Sequence, residues 1–496
     1  MRVLVAFVCN TLFNFAIGLL VAKFLGPTEY GRFALALATG MAVQAAFFDW
    51  LRLGATRFYS ERIRSEDPAL RSTLDLGFVF ITFGLVIGAC LLLFSGVTFA
   101  LSNGLIVLAL GAAMANGFFD YNTALVRARF NDRLYTRLVV VKNLLAFSLT
   151  GGGAFFFGSA KMTLIGGILS LSGSVITARA ALKDPGAGPR LARRSIAATL
   201  MHYSLPIVGA NVLYLLIPLA NRSIVTILYG FAETGQFSLA YDLGTKAIQA
   251  IGSTLDVLLF QIAVATHELH GASKAKQQVA ANMAIVIAIV LPACTGIWLI
   301  LPSIQEILVP AAFRGPFGWY MTLMMTGFFC SALIQYAINP IFQIAKRTAP
   351  LIGAALIACI VDPLLIFLLP RSEDASSLAI AQAGAFLAAL LALIVFASFT
   401  KPQWPRARDL AATVVGTAAM AAALLPLRDH DPGVTTLAEQ VVAGVIIYAC
   451  LCLGLDIAGL RGIVLTRMQP LLAGLGGGVQ PVEAPIAKPQ EPIAGE

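Results

Sequence analysis

Charged and polar residues recur at helical spacing within one long apolar segment of this 496-residue chain. The stripe consists of Asp242, Lys246, Gln249, Ser253 and Asp256. At about 100° per residue these side chains fall on one face of a helix. An ionisable group at bilayer depth costs roughly 2.5 to 3.5 kcal/mol, so this face is expected to line a water-filled cavity. In the alternative interpretation, Asp242 and Lys246 form an intrahelical pair that only helps helices to pack.

A second apolar segment carries Asn211, Pro218 and Arg222 on one face. Pro218 removes a backbone hydrogen bond in mid-helix, and the freed carbonyl group is tolerated where a helix lines a cavity. The pattern therefore predicts a bent, cavity-lining helix. The alternative is a kink that serves packing alone, with Arg222 extending to the outer membrane interface.

Weaker patterns of the same kind lie in the first third of the chain. Asp49 and Arg52 are three residues apart near the inner end of a segment. Other shared faces carry Asn10 with Asn14, and Asn116, Asp120, Thr123 and Arg127. Many of these residues lie near a membrane interface, so for Arg127 we favour simple solvation of the charge.

Long apolar segments must position these residues, because 58% of the chain is hydrophobic, 12% is charged and the mean hydropathy is +0.85. Soluble domains are about a quarter charged, so this composition predicts a membrane protein. About 20 apolar residues suffice for a helix to cross a bilayer. We predict fourteen spans, at 3–24, 30–52, 74–96, 102–125, 138–157, 162–181, 202–228, 236–263, 279–301, 317–339, 348–369, 377–399, 409–427 and 437–458.

The basic residues indicate how these spans are oriented. With a cytoplasmic N-terminus, 25 of the 34 Lys and Arg residues fall on the cytoplasmic side, and five fall on the outer side. The positive-inside rule then predicts a multi-pass protein of the bacterial cytoplasmic membrane with both termini in the cytoplasm. In intact cells, an impermeant thiol reagent is expected to label a cysteine at position 371 and not one at position 190. Because the positive charges are dispersed between spans, the net charge of +9 does not indicate a nucleic-acid partner.

The connection at about 182–201 divides the predicted spans, because it is rich in Gly and Pro and reads as a linker. We predict an all-α fold with an N-terminal six-helix lobe at 1–182 and a C-terminal six-helix lobe at 202–400. Two additional helices at 401–460 follow, and the Gly- and Pro-rich tail at 470–496 is predicted to be disordered in the cytoplasm. Six spans per lobe give both lobes the same orientation, as in transporters built from parallel repeats.

The sequence lacks the motifs of several enzyme classes. It has no GxxxxGK[ST] phosphate-binding loop and no HExxH motif. The seven cysteines form no CxxC pair, and with only four histidines they predict neither a metal site nor a disulfide framework. We therefore expect a protein that is not an enzyme, has no cofactor and takes its energy from an ion gradient, the membrane potential or the substrate gradient.

One turn motif carries a resemblance to a known family. The run FLGPTEYG at 24–31, followed by Phe33, Ala34, Leu35 and Ala36, is similar to the LGPxEYG-type outer turn between the first two spans of polysaccharide-repeat-unit flippases. These flippases belong to the multidrug, oligosaccharidyl-lipid and polysaccharide exporter superfamily. The resemblance implies twelve core helices in two lobes, an alternating-access cavity and a polyprenyl-diphosphate-linked oligosaccharide as substrate. It also implies membrane lipid, a polysaccharide polymerase and export proteins as partners.

A flippase for such a lipid needs cations for the diphosphate and a polar cavity for the sugars. We predict that Arg222, Lys246 and Arg52 bind the phosphates, and that Asn211 and Gln249 complete the substrate site. Candidates for ion coupling are Asp242, Asp256 and Asp49. Ion-coupled members of the superfamily often carry an acidic residue in the first or seventh span, and this sequence has Asn or Arg at the polar positions there.

Two other functions fit parts of the pattern. The first is a cation-coupled multidrug exporter of the same fold, which would favour an acidic, aromatic cavity. The second is a membrane glycan polymerase or ligase, which should carry a large outer loop with catalytic Arg or His. The predicted outer connections are short, and they favour a transporter over such an enzyme.

Overall fold

Apolar composition makes nearly the whole described chain helical, because a backbone that crosses lipid must satisfy its own hydrogen bonds. The computed structural model describes residues 2–94, 100–184, 186–345 and 347–462, with backbone alone at 2–9, 65, 253, 254, 256–258 and 260. Twelve helical stretches in this part are long and apolar enough to cross a membrane. The prediction of an all-α, polytopic membrane fold is confirmed.

The helices follow one another with short connections. They are α1 (Arg2–Phe58), α2 (Glu61–Glu66), α3 (Pro68–Phe94), α4 (Asn103–Ala128), α5 (Asp132–Leu145), α6 (Gly152–Phe157), α7 (Ala160–Thr177), α8 (Arg179–Leu182), α9 (Arg194–Leu299), α10 (Leu301–Leu308), α11 (Pro316–Ala332), α12 (Asn339–Ile344), α13 (Ala349–Leu368), α14 (Ser376–Ser398), α15 (Ala407–Arg428) and α16 (Val434–Gly454). A π-helical turn, Ala146–Gly151, joins α5 to α6, and another, Leu333–Ile338, joins α11 to α12.

Three glycines with positive φ interrupt the longest helices and allow the chain to reverse. Gly26 (φ 66°) divides α1 into a first span, 2–25, and a second span, 27–58. Gly230 (φ 85°) and Gly271 (φ 79°) divide α9 into a seventh span, 194–229, an eighth, 231–270, and a ninth, 272–299. Residues other than glycine rarely adopt these φ values. Counting α5–α6 and α11–α12 as one span each, the described helices form fourteen spans, at positions close to those predicted.

The side of the bundle with the turns at Gly26 and Gly230 is called the turn side, and the opposite side, with Arg52 and Arg64, is called the basic side. One hydrophobic cluster joins Val21 and Ala22 of the first span to Phe237 of the eighth and Leu378 of α14. The two halves of the chain therefore pack together toward the turn side.

The last two spans, α15 and α16, pack against the outside of the ninth span. Met420 and Leu424 of α15 contact Leu299, and the Tyr448 hydroxyl donates to the Ala288 carbonyl at 2.6 Å. Only 11% of the residues in the most apolar stretch of α16 are buried within the protein. Such an uncovered apolar surface is expected of a helix that faces lipid.

The predicted linker is attached to the basic side of the first half. Arg64 Nε lies 2.9 Å from Asp184 Oδ1, and the Tyr59 hydroxyl also donates to this carboxylate. Burial, and then the Asp184 carboxylate, raise the pKa of Tyr59. Nearby, the backbone N–H of Gly188 donates to the Ser72 hydroxyl at 3.0 Å. The chain between α8 and α9 thus has fixed contacts, while the lobe boundaries at 182 and 202 stay a prediction. The predicted disordered tail lies outside the described residues.

Candidate functional site

A cavity of about 390 Å³ lies among the first, second, fourth, fifth and sixth spans and is called the charged cavity. It brings together polar residues that the sequence shows only as separate stripes. Its polar lining is Asn10, Asn14, Arg52, Thr56, Asn116, Asp120, Thr123, Arg127, Tyr135 and Lys142. The weaker patterns of the first third of the chain therefore share one site.

Lys142 lies at the centre of this arrangement. Its Nζ atom is 3.1 Å from Asn10 Oδ1 and 3.3 Å from Asn14 Oδ1. These partners are neutral amides, and in the described part of the chain Lys142 has no ion pair. Sequence reasoning did not select Lys142. Asn10 and Asn14, four residues apart on the facing span, were the signal that a donor lies opposite.

Arg52 is partly neutralised within the same cavity. Its Nε and Nη2 atoms lie 3.2 and 3.1 Å from the two oxygens of Asp49, which is 7% exposed. The second carboxylate, Asp120, accepts a hydrogen bond from Gln44 Nε2 at 2.9 Å. Arg127 is exposed and has no ion pair among the described side chains. The described lining of the cavity therefore has one carboxylate, Asp120, and three cations, Arg52, Arg127 and Lys142, while Asp49 pairs with Arg52.

Lys246 adds a further cation from the eighth span. Its Nζ atom lies 3.2 Å from the position that a Cβ atom on Gly18 would occupy, so the amine contacts the first span. It is also close enough to Lys142 for the two charges to interact, although the Asp120 carboxylate acts more strongly on Lys142. No described side chain forms an ion pair with Lys246. Cations without an ion pair at bilayer depth are costly and mark binding sites or ion pathways.

Arg222 occupies a different environment, closer to the turn side. It is 4% exposed, and its Nη2 atom lies 2.5 Å from Asp242 Oδ1. Its Nη1 atom donates to the Ala34 carbonyl at 3.4 Å, and the guanidinium lies 5.1 Å from the ring centre of Tyr241. Asp242 therefore pairs with Arg222 and not with Lys246. Arg222 neither lines the charged cavity nor extends to the membrane interface.

Three other predicted residues lie apart from the charged cavity. Asn211 is exposed on the seventh span and does not line the charged cavity. Gln249 lines a separate cavity in the other half of the chain, where Asn211 is also absent from the lining. Asp256 lies on the eighth span, but its side chain is outside the described residues. The dihedral angles of the seventh span are helical through Pro218.

The second cavity lies in the other half of the chain and is called the amide–aromatic cavity. It holds about 30 Å³, and its polar lining is Tyr241, Thr245, Gln249, Ser331, Gln335 and Tyr336. Phe328 and Phe386 supply the remaining rings. Close approach of the rings depends on glycines of the eighth span, since a Cβ on Gly252 would lie 1.9 Å from Tyr336 Cε2.

A buried carboxylate was missed by sequence reasoning. Asp362 of α13 is 3% exposed, and both its oxygens lie 2.9 Å from Asn221 Nδ2 on the seventh span. Among the described residues it has no cationic partner. An Asp directly before Pro363, inside a strongly apolar helix, was the available signal.

The two turns on the turn side contact each other reciprocally. The pattern Gly-x-x-Glu-x-Gly-x-Phe occurs at 26–33 and again at 230–237. A Cβ on Gly31 would lie 2.0 Å from the Phe231 carbonyl oxygen, and one on Gly235 would lie 2.0 Å from that of Pro27. Each glutamate also accepts from the start of a later helix, Glu29 from Ala160 N and Glu233 from Ala375 N. The turns close this side.

Gly31→Ala and Gly235→Ala are each expected to open the turn side, because a methyl group would overlap a carbonyl oxygen of the facing turn. We expect the reactivity of a cysteine at position 234, a fully buried position, to rise about tenfold or more toward an impermeant thiol reagent. The matched control is Gly209→Ala, where the added Cβ meets no atom within 4 Å. Equal reactivity in all three variants would show that the contact does not hold the turns together.

Comparisons with known proteins agree on the fold. No protein-family model matches the chain, and no curated protein matches it in sequence. The lipid II flippase MurJ, in an inward closed conformation, is similar with a TM-score of 0.68 and 13% identity, over 90% of this chain and 97% of that chain. An inward-facing multidrug resistance MATE family transporter of the MOP superfamily has a TM-score of 0.58 and 16% identity, over 79% of this chain and 95% of that one.

A third structure, a complex of the MATE multidrug transporter DinF-BH, has a TM-score of 0.57 and 12% identity, over 81% of this chain and 94% of that chain. At these identities the comparisons establish the fold. The chain has the fold shared by the MurJ flippase and the MATE transporters.

Proposed function

We propose that this protein is a flippase that moves a polyprenyl-diphosphate-linked oligosaccharide across the cytoplasmic membrane by alternating access, for polysaccharide biosynthesis. The observation that carries the proposal is the excess of cations around the charged cavity. Lys142, Lys246 and Arg127 have no ion pair among the described residues. A diphosphate brings the negative charge that such a site lacks, and charge-assisted hydrogen bonds to it are stronger than neutral ones.

Within this proposal, Arg52, Lys142 and Lys246 contact the phosphates. Arg52 holds its guanidinium in a two-point contact with Asp49, so its fork is already oriented in the cavity. Arg222, predicted from sequence as a phosphate ligand, is assigned instead to closing the turn side. Its burial and its pairing with Asp242 leave it no access to a ligand in the charged cavity.

Contacts between the halves support the proposal of alternating access. The turn side is closed by the Gly31 and Gly235 contacts and by Arg222, which joins Asp242 to the Ala34 carbonyl of the second span. If the basic side faces the cytoplasm, as the charge distribution predicts, this conformation would accept a substrate from the inner leaflet. Release on the outer side then requires these contacts to separate.

Coupling to an ion is part of the proposal. Asp242, Asp49 and Asp256 stay candidates, and the first two pair with arginines. Asp362 joins them because its buried carboxylate has an amide partner and, in the described part of the chain, no cation. Movement of a proton or metal cation to Asp362 would neutralise it without breaking an ion pair.

Deletion of the gene tests the substrate class. The proposed function predicts loss of a surface or secreted polysaccharide, with lipid-linked repeat units accumulating on the cytoplasmic leaflet, because a flippase acts after the repeat is assembled. The competing function, a cation-coupled multidrug exporter, has support from the rings of the amide–aromatic cavity. Unchanged polysaccharide together with new sensitivity to cationic drugs would favour that exporter. Accumulation of lipid-linked units already on the outer leaflet would favour the glycan polymerase or ligase.

A further inference from the structure

The two cavities differ in their chemistry. The charged cavity of the first half contains Arg52, Arg127, Lys142 and Asp120. Among the described side chains, no Asp, Glu, Lys or Arg lines the amide–aromatic cavity of the second half. Two halves of similar helical layout thus present an ionic surface and a neutral polar surface.

Two amide side chains dominate the neutral surface. Gln249 and Gln335 are both exposed although they lie on membrane-spanning helices, while the neighbouring Ile248 and Tyr336 are buried. Gln335 belongs to the π-helical turn Leu333–Ile338, and such turns change the direction of side chains and are frequent at functional sites. A primary amide provides two donors and an acceptor, which suits hydroxyl groups that both donate and accept.

Aromatic rings line the space beside these amides. The ring centres of Tyr241 and Phe328 are 5.8 Å apart. Phe386 stacks on Tyr214, with 6.2 Å between the two ring centres. Rings provide large, rigid apolar contact area, and a pyranose offers a complementary surface of C–H groups with hydroxyls at its edge. The cavity of about 30 Å³ between the rings has room for one small group such as a hydroxyl or hydroxymethyl.

The eighth span connects the two surfaces. Gln249 follows Lys246 by three residues on the predicted polar stripe, which is an axial step of roughly 4.5 Å on one helix face. A diphosphate held at Lys246 and Lys142 would therefore place a sugar joined directly to it beside Gln249. The order of groups in a lipid-linked glycan matches the order of side chains on this span.

We propose that the amide–aromatic cavity is a subsite that receives a hydroxyl or hydroxymethyl group of an uncharged pyranose of the lipid-linked glycan, with Gln249 and Gln335 binding the hydroxyls of that sugar. This inference rests on the proposed flippase function. It divides the substrate between the halves of the protein, with the diphosphate in the first half and the sugar against the second.

The test uses the full-length protein in proteoliposomes with two fluorescent probes, a polyprenyl diphosphate bearing the cell's own repeat unit and a polyprenyl diphosphate without sugar. The double variant with Gln249→Leu and Gln335→Leu is expected to slow movement of the glycan-bearing probe roughly tenfold to a hundredfold, because one or two hydrogen bonds to the sugar are lost. Movement of the sugar-free probe is expected to stay unchanged. Gln277→Leu, on an exposed surface Gln, is the matched control. Lys142→Gln should slow both probes.

The outcomes separate the inference from the proposed function. If the wild-type protein moves neither probe, the flippase function is wrong. If the wild-type protein moves both probes, and the variant with Gln249→Leu and Gln335→Leu slows both equally or slows neither, the sugar subsite is wrong. If the variant loses only binding of planar aromatic cations, the cavity is a drug site and the inference is also overturned. Should the double leucine variant fail to fold, Gln249→Asn with Gln335→Asn must give the same selective loss, and an equal effect on both probes rejects the subsite.

Discussion

Lys142→Gln combined with Lys246→Gln is expected to reduce transport of a diphosphate-linked lipid by roughly a hundredfold or more. Each charge-assisted hydrogen bond contributes about 1.5 to 3 kcal/mol, and a loss of about 1.4 kcal/mol corresponds to a factor of ten. Neither amine has an ion pair in the part of the chain that the structure describes, so little native stabilisation is lost. Movement of a fluorescent polyprenyl-diphosphate glycan in proteoliposomes measures the effect.

Lys274→Gln controls for the loss of positive charge, since Lys274 is exposed and lines neither cavity. It is expected to transport as the wild type does. The thermal unfolding midpoint of the double variant should stay close to that of the wild type. Transport at the wild-type rate by a folded double variant would remove the charged cavity from the proposed mechanism.

Arg222→Met is expected to destabilise the protein by about 3 to 5 kcal/mol, the usual cost of leaving one member of a buried ion pair without its partner. The side chain of Arg222 is 5% exposed and that of Asp242 is 22% exposed, so water replaces little of the lost contact. Arg222→Met with Asp242→Asn is expected to recover most of the stability, because the remaining amide is neutral. Thermal unfolding of the purified protein in one detergent measures both changes.

Lys246→Met is the comparison on the same polar stripe. It should retain wild-type stability and lose transport, since its amine has no ion pair among the described side chains. The double variant at 222 and 242 should be folded but poorly closed on the turn side. A fully stable Arg222→Met variant that loses only substrate binding would restore the phosphate-binding role predicted from the sequence.

Local properties determined much of this protein. Apolar runs of sufficient length require membrane-spanning helices wherever they fall, so the number and approximate positions of the spans follow from composition. Helical periodicity alone aligned Lys246 with Gln249 on one face. The glycine pattern at 26–33 likewise marks a turn, because a backbone with positive φ favours Gly26.

Tertiary packing decided which polar groups meet. Asp242 had a possible partner four residues away, but the rotation and crossing of the helices place Arg222, twenty residues away, against it. Lys142 meets Asn10 across 132 positions, and Asn221 meets Asp362 across 141. Periodicity specifies the face of a helix on which a side chain lies, but not the neighbouring helix that it faces. The contact between two helix faces depends on the packing of all the spans, and that packing separated the charged cavity from the buried Arg222 pair.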